Sequence, residues 1–426
     1  MEEAGRRLTD ARPELRTTVS LFIGKGGAGK TTLASASGLA LAATGQEVLI
    51  ASLDQAHSIR DALGADGDTD EDSGIGAVAP NLDVVEIDTS RLLEERYRGL
   101  GSMLSVASAG HEHGVSFGAI EPEELMGFPG IEELLGLHEV SRLVDEGRWD
   151  TVIVDLPASG DALRTLQLPG TVSSYFERVW PRHDRMVAGT GTDVRLTLVV
   201  AMIERILGQI ESVRALITDP DRTGATVVLT PEHLSIVDAE RTLSAAALFG
   251  VRVDRLLVNR MLPALNSSSI GLVGAHPAVF WFERWRAAQL DAVAELRRRV
   301  GSVPIVEVEH CEVEPVGLGP LQDVAEHLAP HSLERRASSP AGRPSVELES
   351  GSGLESVYAM RMLLPVVDST TLGLGRVEDD LIVSADGRRR RVTLASVLRR
   401  CIADSAELDG PFLVVRFRPD PDVWPL

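Results

Sequence analysis

The sequence predicts an α/β fold with a doubly wound parallel sheet, followed by a small all-β domain. Short apolar, β-branched runs alternate with helical patterns from Thr18 to about Ala329, which is typical of parallel strands joined by helices. A glycine-rich loop directly follows the first run. A stretch rich in Ser, Pro, Gly and Arg separates the last helical pattern from a tail with strand patterns. Open α/β sheets bind ligands at the carboxyl ends of their strands, so functional residues are expected there.

The predicted elements follow in chain order. The first strand, Thr18–Ile23, precedes the glycine-rich loop, and a helix of small residues covers Thr32–Ala43. Six further strands are predicted at Glu47–Leu53, Leu82–Ile87, Thr151–Leu156, Thr226–Thr230, Arg255–Asn259 and Pro304–Val308. Two insertions with helical patterns, 90–146 and 172–218, interrupt the alternation. We therefore divide the chain into an N-terminal tail at 1–16, an α/β domain at 17–331, a linker at 332–353 and a β domain at 354–421.

The β domain is predicted because the apolar pattern beyond the linker changes from the helical period to that of strands. Its strands are expected at Tyr358–Val367, Arg376–Ser384, Arg389–Leu394 and Phe412–Phe417, with a short helix at Leu394–Arg400. The arginine run 388–391 has two interpretations. It is either a patch that binds an anion or nucleic acid, or charge that protects an edge strand from aggregation, and the second is preferred.

Composition narrows the classes of function. The net charge of −21 argues against nucleic acid as a partner. The chain has only two cysteines, Cys311 and Cys401, which are far apart in the sequence. We therefore expect neither a disulfide framework nor a zinc site. No signal-like or membrane-spanning run is present. We therefore expect a cytoplasmic location and no stable membrane insertion.

The strongest motif is the loop after the first strand. The segment Gly24-Lys25-Gly26-Gly27-Ala28-Gly29-Lys30-Thr31 fits a Walker A pattern, whose backbone N–H groups bind phosphates of ATP or ADP. Lys30 is expected to reach the phosphates and Thr31 to bind Mg²⁺, with Thr32 adding to the nucleotide site. Lys25 and Lys30 are the only lysines in the chain, which marks two positions where arginine does not serve.

A second carboxylate is expected in the same site. The apolar strand that ends at Asp155 fits a Walker B pattern, in which the carboxylate binds Mg²⁺ through water.

The form of the loop resembles a deviant Walker A, K-G-G-x-G-K-T. That form occurs in the arsenite-pump ATPases, the tail-anchored-protein targeting ATPases, the partition and septum-site ATPases and the nitrogenase iron protein. The resemblance implies that Lys25 crosses a homodimer interface and contacts the partner's nucleotide. The resemblance thereby assigns catalytic roles to Lys25 and Lys30. It assigns a third to Asp54, which matches the water-orienting aspartate of the switch I motif D-P-A-H-S-L. Asp54 also fits a plain helix cap.

Further segments resemble the arsenite-pump and tail-anchored-protein targeting ATPases. The segment from Asp155 to Arg164 is similar to their switch II, with Asp161 in place of histidine, while Gln55 replaces the switch I proline. Asn259 lies where the family recognises adenine, and a turn residue is the alternative. The segment that begins at Pro129 is similar to the helix start P-G-x-x-E of these ATPases. The segment that begins at Pro231 is similar to their P-E-x-L-S segment. The tail resembles the small heat-shock-protein (α-crystallin-like) sandwich appended to some relatives.

The resemblance implies Mg²⁺-dependent ATP hydrolysis by a homodimer whose closure shapes an apolar groove for a client segment or lipid-like ligand. Four methionines in the insertions, Met103, Met126, Met186 and Met202, favour such a surface. An equally weighted alternative is that the insertions only pack on each other. Two other functions stay open: a partition- or septum-type ATPase on a nucleoprotein or membrane surface, and a nucleotide-locked holdase that does not hydrolyse ATP.

Overall fold

The computed structural model describes residues 16–55, 58–65, 70, 73–96, 130–190, 194–265, 276–332 and 344–424. Its α/β domain is built on an eight-stranded sheet of order β3-β4-β2-β5-β1-β6-β7-β8. The strands are β1 Thr18–Gly24, β2 Val48–Ser52, β3 Ile75–Ala79, β4 Leu82–Glu86, β5 Thr151–Ala158, β6 Thr223–Leu229, β7 Val253–Met261 and β8 Ile305–Glu309. All neighbours are parallel except β3 and β4, which form an antiparallel edge hairpin.

The helices cover both faces of this sheet. They are α1 Lys30–Ala42, α2 Ile59–Leu63, α3 Ile131–Asp145, α4 Ser159–Val179, α5 Arg182–Gly189, α6 Val194–Ile217, α7 His233–Phe249, α8 Pro277–Val300 and α9 Leu318–Ser332. On one face α1 and α9 pack against alternate strand residues, as Leu33 does with Phe22. On the other face α3, α4 and α6 pack against the intervening residues, such as Leu21. The doubly wound arrangement predicted from the sequence is confirmed.

The insertion between β5 and β6 is a bundle of three helices. Arg185 on α5 is only 2% exposed, and it holds the three helices together. Its guanidinium donates to Glu177 on α4 at 2.7 Å, to Glu204 on α6 at 2.5 Å and to the Trp180 carbonyl. A buried arginine needs such partners, since an unpaired buried charge is costly. The polar node therefore fixes α5 against α4 and α6.

The β domain is a sandwich of two antiparallel sheets, β14-β15-β10-β9 and β11-β12-β13. Its strands are β9 Ser345–Ser350, β10 Val357–Leu363, β11 Gly373–Val377, β12 Asp380–Ala385, β13 Arg388–Thr393, β14 Cys401–Asp409 and β15 Phe412–Pro419. The two sheets share one core, in which Met362 and Phe417 pack with Val383.

Four sequence predictions need correction. Residues 345–350, assigned to the linker, form β9 and pair with β10. The predicted single strand 376–384 is the hairpin of β11 and β12, turning at Glu378 with φ 52°. Strands β3 and β14 were not predicted. The helix expected at 394–400 is a single 3₁₀ turn at Leu398–Arg400.

Candidate functional site

The glycine-rich loop lies where β1 ends and α1 begins, at the carboxyl edge of the sheet. Gly29 caps α1 in the left-handed region, at φ 92°, a conformation that favours glycine. A Cβ at Gly24 would overlap the Val228 carbonyl oxygen, so β1 approaches β6 closely there. The Ala28 N–H donates to the Lys25 carbonyl at 3.1 Å, which closes the loop on itself. A compact glycine-rich curve of this kind, at the start of a helix, is typical of anion-binding loops.

Lys30, Thr31 and Asp155 come together beneath this loop. Lys30 is the first residue of α1 and is 7% exposed, and Thr32 follows half-buried on the same turn. The Thr31 hydroxyl donates to Asp155 Oδ2 at 2.7 Å. Because β5 lies beside β1, with Asp155 opposite Phe22, two segments 124 residues apart meet at this point. The predicted Walker A and Walker B residues thus form one cluster.

The electrostatics of Asp155 are those of a carboxylate short of positive charge. It is fully buried, and burial raises its pKa to about 6. Burial is the largest of the effects that combine in this value: the hydrogen bond from Thr31 and the charge of Lys30 lower the pKa, while nearby Asp54 raises it. Asp155 Oδ1 has no hydrogen-bond partner among the described residues.

These oxygens suit a hard divalent cation. Mg²⁺ prefers oxygen ligands and retains water, and it binds proteins through a hydroxyl or carboxylate together with substrate phosphates. Thr31 and the partnerless oxygen of Asp155 provide that donor set. Among the described residues no cluster of three or more His, Cys, Asp or Glu side chains has the geometry of a metal site. The donor set therefore fits a cation shared with a bound nucleotide.

The switch I segment continues directly from β2. Asp54 lies two residues beyond the end of the strand and is half-buried, and its backbone N–H donates to Ser52 Oγ at 3.3 Å. Gln55, the residue that replaces the family proline, donates to Glu132 Oε2 on α3 at 2.7 Å. The switch is thus tied to the first insertion through side chains. His57 lies outside the described residues.

The switch II segment ends β5 and starts α4. Ser159 Oγ donates to Asp238 Oδ2 on α7 at 2.7 Å, and Ser159 is almost fully buried. Asp161, where the family has histidine, forms only an exposed 3.6 Å ion pair with Arg164. Sequence reasoning missed Asp238, although it lies within the segment that follows Pro231.

Asn259 contacts the phosphate loop directly. Its Nδ2 donates to the Ala28 carbonyl at 2.9 Å, and its Oδ1 accepts from the Arg260 N–H at 2.9 Å. Arg260 has φ 62°, a left-handed conformation that is rare for a residue with a side chain. The amide of Asn259 therefore braces the loop, and its predicted role in adenine recognition stays a prediction.

Lys25 differs from Lys30 in its surroundings. It lies in the solvent-exposed part of the loop together with Gly26 and Gly27, whereas Lys30 is buried. The two lysines thus face different environments, one within the site and one on the surface beside it.

Large apolar side chains on the second insertion are exposed. We call the set on α4, α5 and α6 the insertion surface: Tyr175, Val179, Met186, Val187, Leu196, Leu198, Val199 and Ile206. Met202 is half-buried, and Met103 and Met126 lie outside the described residues. No described helix combines the length and apolar character needed to cross a membrane.

Comparison with known proteins identifies the family. A family model named anion-transporting ATPase matches residues 17–330. The chain belongs to the anion-transporting ATPase family. Residues 355–417 match the HSP20-like domain found in ArsA. The resemblance predicted from the sequence, including the appended domain, is confirmed.

Several relatives of this ATPase family member extend over most of its length. Protein Rv2184c of Mycobacterium tuberculosis is 43% identical, over 98% of this chain and 100% of that protein. A protein named putative arsenical pump-driving ATPase 1, from Aquifex aeolicus, is 26% identical over 93% of this chain and 99% of that protein. The protein named ATPase GET3 of Candida glabrata is 29% identical over 72% of this chain and 89% of that protein. Membership of this family supports an ATPase activity.

Proposed function

We propose that this protein is a Mg²⁺-dependent ATPase that works as a homodimer, and that nucleotide-driven closure shapes an apolar groove for a client segment or lipid-like ligand. The observation that carries the proposal is the cluster of Lys30, Thr31 and Asp155 beneath a phosphate-binding loop. Such a cluster has little use without a phosphate and a cation. The cytoplasmic location and the absence of a zinc site remain predictions.

Each residue then has a defined task. The loop N–H groups and the Lys30 ammonium hold the terminal phosphates of ATP, and Thr31 with Asp155 holds the cation. Bound Mg²⁺ supplies neutralisation of the charge on the phosphates. Asp54 orients the attacking water, which its position beside Asp155 supports. Asn259 fixes the loop and presents its remaining amide donor and acceptor to adenine.

The dimer is supported by features of the face that carries the loop. Lys25 is exposed there, as a lysine acting on a neighbouring chain must be. Helix α8 begins with an exposed pair, Trp281 and Trp285, whose rings meet edge to face at 4.7 Å. Gln289 on the same helix accepts from the Leu262 N–H at 2.8 Å, which ties α8 to the segment that follows Asn259. Exposed tryptophans are typical of binding surfaces.

The groove is supported by the insertion surface. Eight large apolar side chains of α4, α5 and α6 are exposed, and extensive exposed apolar surface generally marks binding sites. Because α4 begins within switch II, closure around the nucleotide can move the helices that carry this surface.

Release of phosphate from ATP tests the proposal. Wild-type protein with Mg²⁺ is expected to hydrolyse ATP, and Lys30→Ala is expected to lose both ATP binding and turnover because the buried ammonium is removed. Arg91→Ala, at a basic residue outside the loop whose side chain is 41% exposed, is the matched control and should match wild type. ATP binding without hydrolysis in wild type would favour the nucleotide-locked holdase, and no binding at all would overturn the proposed function.

A further inference from the structure

Helix α7 contacts switch II close to its N-terminal end. Asp238, in its second turn, accepts a 2.7 Å hydrogen bond from Ser159, which begins α4 four residues after Asp155. Ser159 is almost fully buried and Asp238 is half-buried, so this bond is partly shielded from water. The carboxylate therefore fixes where the polypeptide leaves the nucleotide site.

The other end of α7 belongs to the β domain as much as to the α/β domain. Leu248 packs within the core of the β sandwich. Ser244 Oγ donates to the Pro365 carbonyl at 2.8 Å in a buried position. Arg390 on β13 donates to the Ala247 carbonyl at 3.2 Å. The Ala247 carbonyl also accepts from the Gly250 N–H at 3.1 Å, so this guanidinium adds a second donor, and a positive charge, at the partly negative C-terminal end of α7.

This contact changes the interpretation of the arginine run 388–391. Arg390 is half-buried rather than an edge charge in solvent, and burial together with the nearby guanidinium of Arg214 on α6 lowers its pKa to about 10. It remains charged at neutral pH. Arg390 thus lies where α7, the β domain and the second insertion meet, whereas its neighbour Arg389 is exposed.

The helix between these two ends is held as a rigid element. Its apolar face, with Ile236, Ala239 and Leu243, packs against β6, β7 and α8. Glu240 receives two hydrogen bonds from Arg299 on α8, at 2.6 and 2.9 Å. Nine residues separate Asp238 from Ala247, which is about 14 Å of helix. A packed helix of this length moves as one body, so a shift at Asp238 reaches the β domain.

We propose that Asp238 is a positioning residue for switch II and that α7 couples it to the HSP20-like domain, so that bound nucleotide and the packing of that domain influence each other. This rests on the proposed function, since it requires ATP at the phosphate loop. Coupling between two sites is reciprocal: if nucleotide alters the docking of the β domain, loosening that docking alters nucleotide affinity.

Hydrogen exchange on the full-length protein tests the coupling. ATP binding is measured first for each variant, and exchange in residues 380–393 is then compared with and without ATP. Wild type is expected to show slower exchange there with ATP. Ser159→Ala, which removes the hydroxyl donated to Asp238, should lose the difference, and Ser159→Thr, which keeps a hydroxyl, should retain it.

The distal end is tested by two neighbouring arginines. Arg390→Ala should lose the ATP-dependent difference and change the Kd for ATP on the order of threefold. Arg389→Ala, an exposed change on the same strand, should do neither. If wild type binds ATP but shows no exchange difference, the coupling is overturned while the proposed function is not. The same conclusion follows if Ser159→Ala binds ATP and keeps the exchange difference. Absence of ATP binding in wild type would overturn the proposed function and the coupling with it.

Discussion

Asp155 carries the largest electrostatic stress in the site. Its side chain is fully buried beside Asp54, and one of its oxygens lacks a partner among the described residues. A carboxylate in this state costs stability until a cation and nucleotide compensate it. The nucleotide-free protein is therefore expected to be less stable than the protein with cation and nucleotide bound.

Replacing this carboxylate by an amide should stabilise the protein without ligands. The folded-state pKa, about 6, exceeds the ordinary 3.8, so the folded state retains a proton that the unfolded state has already released between these values. Stability consequently falls as pH rises through that window. Asp155→Asn carries no charge and should be more stable than wild type by up to about 3 kcal/mol above pH 6, at roughly 1.4 kcal/mol per pKa unit.

Denaturation in the presence of a chelator, at pH 7.5 and at pH 4, measures this difference. The advantage of Asp155→Asn should shrink to below about 1 kcal/mol at pH 4, where the wild-type carboxyl is protonated in the folded state and about half protonated in the unfolded state. Asp161→Asn, an exposed acid on the same segment, should have no such effect. A less stable Asp155→Asn variant at pH 7.5 would contradict the assigned electrostatics.

Substitution of Asp54 should separate ATP binding from ATP hydrolysis. Asp54→Asn should bind ATP normally and hydrolyse it at least about 10²-fold more slowly, because the amide no longer orients or accepts a proton from water. Single-turnover measurements with bound ATP isolate this step. Asp61→Asn, exposed on the neighbouring helix α2, is the control. Unchanged hydrolysis in Asp54→Asn would remove Asp54 from the mechanism.

At the residue scale, local motifs were predictable and distant contacts were not. The pairing of Thr31 with Asp155 could be anticipated because both follow strands that end at the same edge of the sheet. The contacts of Asp238 and Arg390 join residues 79 and 143 positions apart through a helix, and no sequence pattern signals them. Asn259 was found by its motif, but its contact with Ala28 required the fold.

At the scale of elements, the insertion helices are the part of the fold least explained by packing. Arg185 fixes their mutual arrangement, yet Tyr175 and Val179 remain 59% and 63% exposed. Exposed apolar side chains on a well-anchored bundle favour binding over core formation.

Two charges on this surface test its role. Tyr175→Glu with Val179→Glu should fold normally, since both side chains are exposed, and should lose the ATP-dependent binding of an environment-sensitive apolar dye. Val313→Glu, a 73% exposed change outside the insertions, is the control. Equal dye binding with and without ATP in all three proteins would indicate that the insertions only pack on each other.

The strands missed by sequence reasoning share a position in the fold. β3, β9 and β14 are all edge strands, and most residues of β9 and β14 are exposed. An edge strand gains its backbone pairing from one neighbour and needs little apolar alternation, so its sequence resembles a loop. The central strands β2 and β6 are wholly buried, and their apolar runs made them predictable.

At the scale of the whole molecule, the proposed mechanism requires two chains. A net charge of −21 opposes self-association through long-range repulsion, so close contact must come from specific features. The exposed Lys25 and the aromatic start of α8 are such features on the face that carries the phosphate loop. Each complete site would then combine Lys30 of one chain with Lys25 of the other.

Complementation between two inactive variants tests this claim most directly. Lys25→Ala and Lys30→Ala are each expected to hydrolyse little ATP alone. In a mixed dimer, the chain with Lys30 intact receives Lys25 from its partner, so one of the two sites is complete. With random exchange, an equal mixture should regain about a quarter of wild-type turnover per chain. A mixture that stays at the level of its parents, or a fully active Lys25→Ala protein, would contradict the shared site.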